Sequence, residues 1–568
     1  MSSIYGEQRT SGAGLPKRSA IILIAVVLLA FLAHIAFMNM FFWQRFHSDS
    51  AVAYVVATQI LDEGKLFPEL FRFGNDLFFL RPQFAIAALL KLGMSGYDAY
   101  ALATSLMFAV AFSIVAFTLL LCRPGSIAPL LAACLLFIPL GGNEFDYILA
   151  QQSHLMQCSL SLAAAVLVFQ INKGLAGRLA VLSVFAFMML LAIDSITRAI
   201  LTTAAILAVS IVQFPLNRRA FMSAGIFVLA LGAGFCIRHL ILQHVQLTGV
   251  THLAFSITAS GVVQKLVELL YDLRTVAFST RALSSYDLGA ILFSIAHLLT
   301  MTAFAALTVW IAWKSLFLLL RRLKAFAVED PIPADLPIFV GAIGLIVSLI
   351  GFSVGVIGKL DAVSRHALPG IFMIKFALVW IVANACLKKT PSLQRGISWV
   401  TAASLIMASP VILPIISGAF RQNEHDLRAN LQDILSKLRE IESIRVGSGN
   451  LYAEYWDAYR LAILTETNLS PAPVAMWEGK MVGDGWLSIP KRFCATAGQS
   501  TVYIVHNRNQ DMASYASRIA SPISVENPNV VSRSGYDLLT ERATRIRSMQ
   551  DLKVFQGNGH DLHGCLRS

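Results

Sequence analysis

A helix that crosses a bilayer needs about 20 consecutive, mostly apolar residues, and this chain supplies that length repeatedly. Candidate spans cover 20–43, 97–121, 126–140, 150–171, 178–193, 196–214, 220–242, 287–319, 336–357, 367–386 and 396–418 of its 568 residues, about eleven in all. The spans at 126–140 and 178–193 are short, so the count moves by one or two. Charged side chains make up only 14% of the chain. A soluble globular protein carries about 25% and needs them to cover a wet surface. Disorder, collagen and small disulfide scaffolds are excluded by the same long apolar runs. The chain reads as a polytopic α-helical membrane protein.

The net charge of +12 is uneven. Residues 1–420 hold 28 Lys+Arg against 17 Asp+Glu, and residues 421–568 hold 17 against 16, so +11 lies in the apolar part and +1 beyond it. Cytoplasmic loops collect Lys and Arg, which explains the basicity without nucleic acid. Arg9, Lys17 and Arg18 precede the first span. Alternate loops then carry Arg123, Lys173 with Arg178, Arg218 with Arg219, Arg321, Arg322 and Lys324, and Lys388, Lys389 and Arg395. This pattern places 1–18 in the cytoplasm as a tail, 19–420 in the membrane and 421–568 outside. No cleavable signal is expected, because the first apolar run is too long and no small-residue site follows it. The first outer loop, 44–96, is long and of mixed charge, and its apolar stretch 82–93 suits a helix at the interface.

Beyond Phe420 the composition changes. Residues 424–443 read as an amphipathic helix, 444–446 as a strand, 451–465 as a second helix, and 472–477 and 501–505 as strands. That alternation fits one small α/β domain. No zinc spacing, phosphate loop or nucleophile elbow is found in it. It reads as a module for substrate or acceptor recognition, or as a cover for the outer face. Five cysteines (Cys122, Cys134, Cys158, Cys236 and Cys386) fall in or beside spans. Cys494 and Cys565 lie in the outer region, where an oxidising compartment allows them to pair as a disulfide.

Site candidates cluster on the outer side. By position alone Asp49, just beyond the first span, reads as a solvated loop aspartate or an N-cap for a helix over 50–61. A carboxylate partly desolvated at the interface also suits general-base chemistry. Glu144 and Asp146 supply a second acidic pair, and Gln152 and His154 at the head of a span are costly facing lipid, so they point toward a cavity. Within the membrane, Asp194 and Arg198 stand four apart and read as an ion pair on one helical face, or as residues at a span end. Arg238 and Lys375 read as snorkelling cations.

The run Asp49-Ser50-Ala51, Ala57, Ile60-Leu61, Gly64-Lys65, Phe67-Pro68, Phe71 and Gly74 is similar to the first outer loop of bacterial GT-C-type glycosyltransferases, the superfamily of protein mannosyltransferases and aminoarabinose transferases. Arg81-Pro82-Gln83 resembles the segment before their second span, and Ser364-Arg365-His366-Ala367-Leu368-Pro369 resembles their "RYLLP" stretch. The block Tyr452-Ala453-Glu454-Tyr455-Trp456-Asp457-Ala458-Tyr459-Arg460-Leu461 looks like "YADYWTAYRL" of uncharacterised members with an outer C-terminal domain. The resemblance implies a GT-C-type fold in the bacterial inner membrane and a donor sugar carried on a polyprenyl phosphate. It implies Asp49 as the base that activates an acceptor, whether lipid, glycan or protein. Many relatives have Asp-Glu where this chain has Asp49-Ser50, which leaves a divalent metal and the acceptor type open and gives no metal ligands.

A leaving lipid phosphate needs cations near the outer interface. Lys359, Arg365, His366 and Arg81 are the candidates, with Arg274 and Arg281 behind them; each also fits headgroup snorkelling. His47 stands close enough in sequence to support Asp49. Two other classes compete with the transferase. One is a transporter or flippase of lipid-linked saccharide, which would favour repeated halves that this chain lacks. The other is a non-catalytic envelope-glycan-binding membrane protein.

Overall fold

The structure, a computed structural model, describes residues 17–247 (less 41, 47, 75, 124–125 and 140–143), 263, 288–324, 335–357, 363–389, 450–465, 470–477, 480–483, 487–489, 501–506, 511, 514, 516, 521–523 and 552–557. Among the described residues, twelve α-helices precede the strands of the C-terminal region. They are α1 (Lys17–Met40), α2 (Ser48–Glu63), α3 (Gln83–Lys91), α4 (Gly96–Cys122), α5 (Ala128–Leu136), α6 (Leu155–Lys173), α7 (Arg178–Asp194), α8 (Ile196–Gln213), α9 (Arg218–Leu242), α10 (Leu288–Lys324), α11 (Leu336–Ile357) and α12 (Val363–Lys389).

Among the described residues, 8 helices are long and apolar enough to cross a membrane: α1, α4, α6 and α8–α12. The expected span at 126–140 is α5, only 9 residues long. At 1.5 Å per residue it reaches about 14 Å, under half of a hydrocarbon core. Pro129 in its first turn suits a helix start, where its missing N–H leaves no bond unmade. With 17 residues, α7 reaches about 25 Å. The 396–418 span lies outside the described residues.

The centre of the bundle is α6, whose spanning window is wholly buried. A helix enclosed on all sides can carry polar groups only if its neighbours satisfy them. Asn172 does this at one end, donating to Ser210 Oγ (3.3 Å) on α8 and accepting from Ser223 Oγ (3.2 Å) on α9. Gly174 then ends α6 in the left-handed region, at φ 73°, a conformation that costs other residues strain.

Small residues bring α11 and α12 together. A Cβ at Gly344 would lie 2.6 Å from the Gly370 carbonyl oxygen, and one at Gly351 would lie 2.3 Å from that of His366. Without a hydrophobic drive between helices in lipid, such backbone proximity supplies the attraction.

The outer elements are smaller. Strand β1 (Arg72–Phe73) pairs parallel with β2 (Gln246–Leu247), tying the first outer loop to the end of α9. The C-terminal region holds β3 (Asn450–Ala453), α13 (Tyr455–Thr465), β4 (Ser470–Trp477), β5 (Lys480–Gly483), β6 (Thr501–His506), β7 (Ser521–Ile523) and β8 (Leu552–Gly557). They form a mixed sheet of order β5-β4-β3-β6-β8-β7, with β3 parallel to both β4 and β6. In this order the chain runs from β3 to β4 on one side and from β6 to β7 and β8 on the other, so the strand order reverses between β3 and β6. The helix expected over 451–465 begins at Tyr455, because residues 451–453 belong to β3. The elements expected at 424–443 and 444–446 lie outside the described residues.

Replacing Gly344 by Ala is expected to lower stability by about 1–3 kcal/mol through overpacking. Gly232 has nothing within 4 Å of its ideal Cβ, so Gly232→Ala is the matched control. Thermal midpoints of the two variants in detergent should separate, and equal midpoints would show that the α11–α12 contact carries no load.

Candidate active site

The site is built where the first outer loop meets the junction of α7 and α8. Ser195, extended at φ −146° and ψ 98°, separates the two helices. Asp194 ends α7 and Arg198 lies in the first turn of α8, so the pair expected on one continuous face does not form that way. Arg198 instead meets Asp76 of the outer loop at 3.5 Å and donates to Gln157 Oε1 on α6.

Asp194 is buried and its oxygens are fully engaged. Oδ2 accepts from Gln157 Nε2 (2.7 Å) and Oδ1 from the Leu80 amide (3.3 Å). Its backbone carbonyl takes the Leu77 amide (3.3 Å) and the Arg238 guanidinium (2.6 Å). Arg238 also reaches the Ile193 carbonyl at 2.9 Å. Its role is therefore to cap the end of α7, where positive charge is favoured, and it does not snorkel.

These bonds fix the stretch that carries Arg81. Phe78 adopts φ 58°, a conformation that a bulky residue keeps only when its surroundings impose it. Its ring lies beneath the Arg81 guanidinium, 3.6 Å from carbon to centroid, and its carbonyl accepts from Gln83. Arg81 feels the charges of Asp76, Asp194 and Asp49 together. Burial pushes the Asp76 carboxyl up, but Arg198, Arg81 and the Ser195 hydroxyl outweigh it and hold it below the ordinary value.

Asp49 stands in the first turn of α2, half-buried, and is neither a free loop residue nor an N-cap ahead of residue 50. Its Oδ1 accepts from the Tyr455 hydroxyl at 2.9 Å. The serines on either side, Ser48 and Ser50, are buried, and Ser50 shares a hydrogen bond with Tyr100. Position 50 is thus turned into the protein. Asp49, Asp76, Arg81, Asp146 and Arg198 all keep intermediate exposure, while Ser50, Tyr100, Gln152 and Asp194 near them are buried. Partly wet charges among buried neighbours are what a polar recess produces.

The remaining candidates divide. Asp146 lies in a π-helical turn, Phe145–Ala150, and its charge, like that of Arg81, acts on Tyr100. Glu144 is buried and paired with Lys375 of α12 at 2.8 Å, so Lys375 has a protein partner and no need to snorkel. Gln152 (φ 57°) donates to the Thr104 carbonyl at 2.7 Å. His154 precedes α6, with Nδ1 3.0 Å from Ser153 Oγ and its ring 5.3 Å from that of Tyr147. His366 is half-exposed at the head of a spanning segment of α12. Lys359, the Arg365 side chain, His47, Arg274, Arg281, Cys494 and Cys565 lie outside what is described. Cys122, Cys134, Cys158 and Cys236 are free thiols. Among the described residues no group of three or more His, Cys, Asp or Glu is placed to hold a metal ion.

Sequence reasoning did not single out Asp76 or Tyr455 and gave Arg198 and Arg238 bland roles. The only signals were the charge of Asp76 in an outer loop and the aromatic block around Tyr455.

No family model matches the chain, and no curated protein matches it. Two solved structures are similar over nearly the whole length. One is ArnT from Cupriavidus metallidurans bound to undecaprenyl phosphate, with a TM-score of 0.42 and 11% identity over 96% of this chain and 99% of that one. The other is the same protein in the apo state, with a TM-score of 0.42 and 10% identity over 95% and 98%. At such scores and identities the likeness says nothing about chemistry.

Removing the Arg198 cation should leave Asp76 and Gln157 without their shared partner. Arg198→Met is expected to cost about 1–3 kcal/mol, because it strips the buried Gln157 acceptor of its charged donor, and Asp76→Asn on top should restore part of it. A midpoint unchanged by Arg198→Met would refute the pairing. The sign with pH follows from the depressed Asp76 value: its stabilisation is complete above the ordinary 3.8 and fades as pH falls through the folded value. Wild type and Asp76→Asn should therefore converge in stability on acidification below that point.

Proposed function

We propose that this protein is a glycosyltransferase that moves a sugar from a polyprenyl phosphate to an acceptor hydroxyl or amine. The reaction would take place at the outer face of the bacterial inner membrane, with Asp49 as general base. The observation that carries this reading is the placement of Asp49. It is half-buried in the first turn of α2, and its charge acts on Arg81, a cation fixed by the α7–α8 junction. The motif resemblance and the basic cytoplasmic loops support the donor class and the orientation.

In this reading the acceptor O–H or N–H gives its proton to Asp49, and its lone pair forms the bond to the anomeric carbon. The anomeric C–O bond breaks with its electron pair going to the phosphate oxygen, and polyprenyl phosphate leaves. Arg81 offsets the charge that the phosphate gains. Arg365, Lys359 and His366 are candidates for the same phosphate, and Asp146, Glu144, Gln152 and His154 for the sugar or acceptor. The outer C-terminal region would complete the acceptor side.

Membrane vesicles holding the protein would be supplied with a panel of labelled polyprenyl-phosphate hexoses and pentoses, with native membranes as the acceptor source. Loss of a general base costs about 10²–10⁴ in rate, so Asp49→Asn should fall by that factor at unchanged protein level. Arg81→Gln should raise the donor KM by about ten- to a hundredfold, as expected for a lost bond to a charged group. Full transfer by Asp49→Asn would remove the base and the reading with it.

A further inference from the structure

We infer that Tyr455, from the C-terminal region, is a positioning residue for Asp49; this rests on Asp49 being the base. The two residues are 406 positions apart, yet the Tyr455 hydroxyl donates to Asp49 Oδ1 at 2.9 Å. A bond from a neutral donor to a carboxylate is charge-assisted and directional. With Oδ1 held, the carboxylate plane is set and Oδ2 faces a fixed direction. A base must lie within hydrogen-bond reach of the proton it takes, so fixing that plane bears directly on rate.

The donor is itself rigid. Tyr455 is only 7% exposed and opens α13, which packs against α2. Its ring meets that of Tyr459 edge-on, with centroids 6.0 Å apart at 83°. Tyr459 in turn donates to the Leu487 carbonyl at 2.7 Å, and the next carbonyl, that of Ser488, accepts the Arg72 amide at 2.9 Å. The aromatic block therefore holds the C-terminal region to the first outer loop at two points, one of them the carboxylate itself. A buried tyrosine needs a partner for its hydroxyl, but a backbone carbonyl would serve. Here the partner is a half-exposed acid. Tyr455 also follows the end of β3 by a single residue, Glu454, so one end of the sheet lies beside the same carboxylate.

The test compares Tyr455→Phe, Asp49→Asn and the double variant in the vesicle assay with the labelled polyprenyl-phosphate sugars. Tyr455→Phe should lower kcat about tenfold with the donor KM unchanged and a thermal midpoint lowered no further than that of Asp49→Asn. Because Tyr455 acts only through Asp49, it should have no further effect on the residual rate of Asp49→Asn. A wild-type kcat for Tyr455→Phe, or the same tenfold loss in both backgrounds, would overturn the inference while leaving Asp49 as the base. Full activity in Asp49→Asn would instead overturn the underlying reading.

Discussion

Asp194 is the anchor on which the loop carrying Arg81 depends. A carboxylate removed from water without partners is very costly, and here each requirement is met by a different element. Gln157 of α6 and the Leu80 amide of the loop between α2 and α3 satisfy the carboxylate, while the Leu77 amide of that loop and Arg238 of α9 take the backbone carbonyl of the same residue. Satisfying one buried acid thereby pins a loop that has little regular structure of its own. Arg81 inherits its position from that pinning, stacked on Phe78 and facing the recess.

The second constraint acts from the opposite side of the site. Asp49 belongs to the membrane module by sequence, but its carboxylate is bonded to the C-terminal region. The contact at Arg72 and Ser488 and the contact at Asp49 and Tyr455 both run between the first outer loop and the residues around α13. The site is therefore assembled from parts that must each be folded and docked. Such an assembly keeps an exposed base from being fully formed unless the outer region is in place.

The membrane class was legible because apolar run length is a one-dimensional property, and alternating basic loops carried the orientation expectation in the same way. The α/β alternation beyond Phe420 was legible in outline. Its error at 451–453 arose because Leu-Tyr-Ala fits either period, and only pairing with β4 and β6 selects the strand. The break at Ser195 was legible from run length, since the spans read at 178–193 and 196–214 leave it between them, and Asp194 does sit at a helix end. The expected Asp194–Arg198 pairing assumed a continuous helix. Arg238 and Lys375 illustrate a general blindness: a lone cation in an apolar run looks the same whether it reaches for lipid or for a carbonyl 44 positions away. The Tyr455–Asp49 bond had no local signature, although the block containing it was conspicuous.

The charge arrangement also accounts for why Arg81, and not a stronger isolated cation, suits the proposed chemistry. As the acceptor proton reaches Asp49, that carboxylate loses its charge while the departing phosphate gains one. Negative charge thus moves across the site without changing in total. A guanidinium already seated over the Phe78 ring need not swing to follow it, and a fixed dipole or charge costs no reorganisation when the barrier is crossed. An unpaired lysine in the same recess would have to choose between the two anions. The stacked arginine keeps its place as the balance shifts, which would link the hydrogen bonds at the α7–α8 junction to the rate of the proposed reaction.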